Sequence, residues 1–356
     1  MYAREKNIVG KLLAAALILV LSASCSVIDE DLSDCDDNNE YKLDYELRLV
    51  TNMTTELHTK LGLETNVALA AALKAHLSGI FTDYAHDVDL SFYDTQGEMP
   101  RLQHDQHIMD ANQASYTLYL PMRQYMHLAV ANVLNNELVT LKGDEKCRTA
   151  ILGQTASDTI ASHTTGIFTA RQPMDVLEGV DQTFNVHLYM ANCAAALVID
   201  PRGHDVSSLK VFTKGFASRF NINDSTYVFD AKSPIVRTTL VKPENSSDMC
   251  YCSVNFPSRE PDHKDTKATR SVIETTEPFE DEASIEPLWE FKTYITNADG
   301  TVTETILGIR RTLRAGQLMI INGYVTDDGA VHTEDQTVGV NVTLDWHEGW
   351  NFDPVL

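Results

Sequence analysis

Tyr41-Lys42-Leu43-Asp44-Tyr45-Glu46-Leu47-Arg48-Leu49 sets the architecture of this chain. Leu43, Tyr45, Leu47 and Leu49 alternate with Lys42, Asp44, Glu46 and Arg48, and a period of two over this length is a strand with one buried and one wet face. The same style returns along the chain. Strands are predicted at 88–93, 116–120, 127–133, 186–199, 209–212, 215–222, 227–229, 250–256, 288–296, 301–309, 317–325 and 338–346. Turn signals separate them, among them Asp200-Pro201-Arg202-Gly203, Asn223-Asp224-Ser225, Asn297-Ala298-Asp299-Gly300 and Asp327-Asp328-Gly329. One helix is expected. Thr54 or Thr55 would cap it, Gly62 would break it, and Leu57, Leu61, Ala68, Leu69, Ala72, Leu73, His76 and Leu77 recur at helical spacing. Many short strands with a single helix predict a mainly β protein built from β-sandwiches.

The N-terminus adds a different kind of signal. Arg4, Lys6 and Lys11 precede an apolar run from Leu12 to Leu21, followed by Ser22, Ala23, Ser24 and then Cys25. A charged region, a short apolar region and small residues before a cleavage point form a secretory leader. The run is too short to span a bilayer, which takes roughly 20 residues. A cysteine directly after the small residues fits a lipoprotein signal, in which Cys25 becomes the acylated first residue. Leu21 sits one place earlier than that pattern would put it, and plain secretion with Cys25 as a spare thiol is the alternative. Residues 1–24 are thus expected to be removed. Residues 25–40 hold Asp29, Glu30, Asp31, Asp34, Asp36, Asp37 and Glu40, and read as an extended acidic tether with nothing to build a core.

About 332 residues would remain after cleavage, more than one core usually serves. The expected division is an N-terminal sandwich at 41–199 with a helical insertion and a C-terminal sandwich at 200–356. A polar loop near 257–287 belongs to the second. The formal net charge is −23. The leader contains three basic residues and one acidic, so the mature part keeps 25 of 28 basic and 50 of 51 acidic residues. That balance argues against nucleic acid, which demands basic patches, and against adsorption to anionic lipid. Membrane attachment would therefore rest on acyl chains.

Motifs for catalysis are sparse. Phosphate-cradling glycine loops and the GxSxG elbow are absent from the sequence. His104 and His107 stand three apart, which on a helix would put two metal ligands on one face, but the stretch reads as a polar loop. Cys250 and Cys252 flank Tyr251 and would share one face of a strand. With Cys25 lipidated, Cys35, Cys147, Cys193, Cys250 and Cys252 are an odd number that cannot all pair, and unpaired or partly paired structural cysteines are favoured over a metal site. Trp289, Trp346 and Trp350 suit either core packing or stacking on a sugar. The expectation is no catalytic residue, no metal and no cofactor.

Several stretches, taken in order, carry a resemblance. They are Ser24-Cys25-Ser26-Val27-Ile28-Asp29-Glu30-Asp31-Leu32-Ser33-Asp34-Cys35 ahead of the alternating strand, and Ala85-His86-Asp87-Val88-Asp89-Leu90-Ser91-Phe92-Tyr93-Asp94. Leu118-Tyr119-Leu120-Pro121 running through Tyr125 to Ala129-Val130-Ala131-Asn132 is another, and Gly339-Val340-Asn341-Val342-Thr343-Leu344-Asp345-Trp346 closes the series. Together they resemble the FimB/Mfa2 family of Bacteroides-type fimbrial proteins. The resemblance implies two tandem transthyretin-like β-sandwich domains in a non-catalytic lipoprotein, surface-exposed on the cell outer membrane and part of a fimbrium. Acyl chains on Cys25, palmitate among them, would hold it there, and Asp29-Glu30-Asp31 resembles an export tag to the outer face. The implied partner is a fimbrial shaft subunit, joined by β-strand complementation. The implied task is to anchor the filament base and limit its length. The segment first suspected of touching a neighbour is 338–346 with the tail to Leu356. An ordinary closing strand is the other reading of it. The alternative function is a surface glycan-binding lipoprotein, which would share the lipid, the tether and the sandwiches.

Overall fold

The computed structural model describes residues 40–50, 66–82, 85–98, 100–109, 115–143, 151–154, 159–230, 233–261, 287–335 and 338–345. Four sheets and one helix make up this part of the chain. The seven-stranded sheet runs in the order β3 (Arg101–Met109), β2 (Asp87–Asp94), β5 (Gln124–Ala131), β9 (Phe168–Asp175), β10 (Gln182–Met190), β1 (Glu40–Val50) and β4 (Ser115–Pro121). β9 and β10 share only two paired positions, Tyr189 with Thr169 and Met190 with Phe168. The sheet folds over at that seam, so four strands face three. Tyr45 of β1 accordingly meets His127 of β5 across the interior, although two strands lie between them in the order. β1 behaves as its alternation demands: Leu43, Tyr45 and Leu47 are buried, and Lys42, Asp44 and Arg48 face water.

A second sandwich faces a five-stranded sheet against a six-stranded one. The first is β16 (Thr239–Val241), β17 (Met249–Asn255), β11 (Cys193–Asp200), β20 (Leu318–Val325) and β21 (Val331–Thr333). The second is β22 (Val338–Asp345), β19 (Val302–Ile309), β18 (Trp289–Thr296), β12 (Lys210–Lys214), β15 (Ile235–Arg237) and β8 (Thr159–Ala161). A small four-stranded sheet, β14 (Thr226–Val228), β13 (Arg219–Asn221), β7 (Ile151–Gln154) and β6 (Val139–Lys142), draws strands from both halves of the chain.

The five-stranded sheet is covered on both sides. On β11, Cys193, Ala195, Leu197 and Ile199 enter the core shared with the six-stranded sheet, while Ala194, Ala196 and Val198 enter the core of the first sandwich. A strand buried on both faces loses the period-two signal and reads as a continuous apolar run. That explains why 186–199 reads as one element. It is two strands, β10 and β11, in different sheets, separated at Ala191-Asn192. The expected break at 199/200 falls inside β11, whose partners β17 and β20 both lie in the second half.

Between the sandwiches lies α1 (Val67–Ile80), with Leu69, Leu73, Leu77 and Ile80 on its buried stripe. Each such side chain contributes roughly 1.5–3 kcal/mol of burial. This helix is capped by Asn66, while the expected cap at Thr54 or Thr55, with Leu57, Leu61 and the break at Gly62, lies outside the described residues. The Asn66 side chain accepts from the Leu69 N–H at 3.1 Å and donates to the Asp248 carboxylate at 2.6 Å. The cap thus also ties the helix to the second half of the chain. The expected strand at 215–222 shortens to β13, because Gly215 adopts φ +99° where a Cβ would sit 2.7 Å from the Trp289 Cα.

Candidate functional site: open edges and a polar cleft

Backbone groups left open at sheet edges are the first candidates, because an edge strand is a template for another chain. The segment expected at 338–346 forms β22 at the rim of the six-stranded sheet. It pairs antiparallel with β19 over eight residues, from Val338 with Ile309 to Asp345 with Val302. Among the described residues its other side has no strand partner, and Val340 on it is 36% exposed. Trp346 and the tail to Leu356 lie outside the described residues. β4 ends the seven-stranded sheet in the same way, with Tyr119 52% exposed. Cys25, the leader, the tether up to Asn39 and most of the 257–287 loop also lie outside the described residues.

His104 and His107 sit on β3, not on a loop, and that decides their chemistry. Three residues apart on a strand points them to opposite faces. His104 packs against Phe92, and His107 pairs at 2.6 Å with Asp89 on the outer side. Among the described residues no three histidine, cysteine or acidic side chains group as a metal-ligand set. Cys250 and Cys252 do share a face of β17, both buried in the first core and neither in a disulfide. Burial, with Cys250 alongside, pushes the Cys252 thiol well above its usual range. Cys193 is likewise buried and free. Cys35 and Cys147 lie outside the described residues. Trp289 is a core residue: it is 1% exposed, packs on Phe216 and Phe291, and donates its indole N–H to the Arg311 carbonyl at 2.9 Å. Trp350 lies outside the described residues.

Two buried histidines hold the interior together, and neither was marked by the sequence. His127 Nδ1–H donates to the Ser91 carbonyl at 3.1 Å, so its Nε2 accepts from the Tyr45 hydroxyl at 2.8 Å. Burial pushes its imidazole down to about 4. His163 accepts at Nδ1 from the Asn192 amide at 2.7 Å, and burial pushes it down to about 4 as well. Asn192 also takes the Ile167 N–H at 2.6 Å, just where β10 gives way to β11. Both imidazoles are sealed from solvent, and that burial holds them neutral at neutral pH.

A cleft of about 320 Å³ opens on the outer face of the five-stranded sheet. Asp200 ends β11 and Arg202 stands in the turn after it, Ile320, Asn322 and Tyr324 come from β20, and Thr333 to Asp335 from the end of β21 and just beyond. The Arg202 guanidinium lies over the Tyr324 ring at 3.5 Å from its centre. Its backbone sits at φ +48°, with its N–H given to the Asp200 carboxylate at 2.9 Å. Arg311 holds Asp335 at 2.8 Å, and the Thr333 hydroxyl donates to the Asn322 carbonyl at 2.6 Å. In sequence, only the turn at 200–203 marked this place. Its other walls lie more than a hundred residues away.

No family model matches the chain, and no curated protein matches it. Solved structures do. The chain is similar to a protein of Bacteroides thetaiotaomicron described as polysaccharide-binding, at 10% identity and a TM-score of 0.50, over 83% of this chain and 98% of that one. The two share a fold. The chain is also similar to the fimbrial anchor protein Mfa2 of Porphyromonas gingivalis, at 11% identity and a TM-score of 0.42, over 86% and 98% of the two chains. A fimbrial assembly protein of Parabacteroides distasonis is similar at 13% identity and a TM-score of 0.39, over 86% of this chain and all of that one (100%). Among the described residues no helix is long and apolar enough to cross a membrane.

Proposed function

We propose that this chain is a non-catalytic lipoprotein of a cell-surface fimbria, of the FimB/Mfa2 type, held on the outer membrane by acyl chains on Cys25. It anchors the filament base, limits filament length and joins a shaft subunit by β-strand complementation. The observation that carries this reading is β22. A strand of eight residues at a sheet rim, with one side unpaired among the described residues, is the geometry that strand addition needs. Such pairing draws affinity from backbone hydrogen bonds and specificity from alternate side chains. The acidic tether supports the same reading, since it leads directly into β1 and would lift the sandwiches off the lipid surface. Two tandem domains complete the proposal, with the boundary at Ala191-Asn192, because β11 pairs with β17 and β20.

The test compares wild-type cells with a Cys25→Ala strain, by immunolabelling and electron microscopy of cells and medium. Filaments shed into the medium, or grown abnormally long, are the expected result. Release of this protein alone, with every filament unchanged and unlabelled, overturns the anchor reading and favours a glycan-binding lipoprotein.

A further inference from the structure

We infer that the cleft between the 200–202 turn, β20 and the end of β21 binds a neutral carbohydrate. The inference stands on the cleft itself and does not depend on the anchoring role. Along β20 one face carries Leu318, Ile320, Asn322 and Tyr324, paired in register with Ala194, Ala196, Val198 and Asp200 of β11. Leu318 is buried in the core shared with α1, and Ile320 is partly covered by it. Beyond that point the same face emerges from under its cover. There it turns from apolar to an aromatic ring, an amide, a guanidinium and carboxylates. The change of chemistry therefore coincides with the opening of the cleft.

The donor and acceptor set selects the ligand. A sugar hydroxyl both gives and takes a hydrogen bond, so it suits a site where carboxylates and cationic or amide donors converge. Glu334 and Asp200 are acceptors, Arg202 is a donor, and the Asn322 amide is both. Stacking on Tyr324 fixes the plane of the Arg202 guanidinium, and its Nε lies 3.9 Å from the Asp200 carboxylate, which sets donors and an acceptor side by side for a pair of hydroxyls. An Arg in the left-handed region is uncommon, and here it is what places the guanidinium over the ring. Anionic ligands are disfavoured by Asp200, Glu334 and Asp335 within a chain of net charge −23. Arg202, with its Nε 3.9 Å from the Asp200 carboxylate, and Arg311, 2.8 Å from Asp335, balance two of these carboxylates, so little net charge is left to select a cation. What remains is a neutral polyol, with Ile320 offering apolar surface to the C–H side of a ring. A volume of about 320 Å³ lies at the small end of ligand sites, so one or two sugar rings would be held while a longer chain runs out through the open mouth.

The test uses the full mature chain on a panel of neutral gluco-, manno-, galacto- and xylo-oligosaccharides of four to six residues, beside their sulfated and uronate counterparts. Binding is read by saturation-transfer NMR and titration calorimetry. Arg202→Lys, Asn322→Ala and a distant control, Tyr119→Ala, are run in parallel, with melting temperature as the check on folding. The expected result is binding of at least one neutral class, weakened about tenfold or more by Arg202→Lys and by Asn322→Ala and left unchanged by Tyr119→Ala. Arg202→Lys keeps the charge and loses the fork, so its effect separates shape from simple electrostatics. No binding of any neutral sugar, binding confined to the acidic sugars, or neutral binding indifferent to both cleft substitutions in folded protein overturns the inference.

Discussion

Mild acid should weaken this protein, and two buried imidazoles supply a large share of the effect. His127 and His163 are each 1% exposed or less, and burial pushes both from 6.5 in the unfolded chain to about 4 in the folded one. A base whose folded value is lowered leaves the native state fully stable above 6.5. Its contribution is lost as the pH falls from 6.5 towards 4, because the unfolded chain takes up the proton first. At pH 5.0 each histidine then favours unfolding by about 2 kcal/mol, given about 1.4 kcal/mol per unit of separation, and the pair by about 4 kcal/mol. Against a stability of roughly 5–15 kcal/mol that is a large loss. Asp299 and Asp328, held below their ordinary range by hydrogen bonds from Thr301 and Thr326, titrate below this window and leave it to the histidines. Guanidinium unfolding followed by tryptophan fluorescence at pH 7.5 and 5.0 measures the difference, with Trp289 as a buried reporter. His127→Gln keeps a donor for the Ser91 carbonyl and an acceptor for Tyr45 without taking a proton, so it should remove about 2 kcal/mol of the loss between the two pH values. An undiminished loss in His127→Gln would refute the assignment of the acid sensitivity to this imidazole.

Two further substitutions test the packing. Gly215→Ala should cost about 3 kcal/mol, since the new methyl combines φ +99° with an approach of 2.7 Å to the Trp289 backbone; a melting temperature within a degree of wild type would contradict that geometry. Ala196→Leu forces three more carbons between the five-stranded sheet and the first core, where Ala196 is fully buried. Calorimetry should show a loss of about 1–3 kcal/mol, and no loss would mean that the two sandwiches are not in close contact there.

The strands with one wet face were legible from the sequence. β1, β18 and β19 show their alternation because each has a dry and a wet side, and turns such as Asn297-Ala298-Asp299-Gly300 mark where they end. The expected leader, Cys25 and the acidic tether up to Asn39 rest on local composition alone and lie outside the described residues. Tertiary structure decided the rest. β11 hid its boundary because both of its faces are covered. The tie of the α1 cap to the second half of the chain was also invisible, because Asn66 donates to Asp248, 182 residues later. His104 and His107 were placed on a loop because a strand with polar residues on both faces shows no apolar period. His127 and His163 had no mark at all, since a histidine becomes a neutral core residue only when distant strands close over it. The cleft is the strongest case, joining residues 200–202, 320–324 and 333–335 across sheet register. A sequence pattern records the neighbours one or two turns or pleats away, whereas burial and convergence depend on which strands lie side by side, and that is fixed only when the sheets pack.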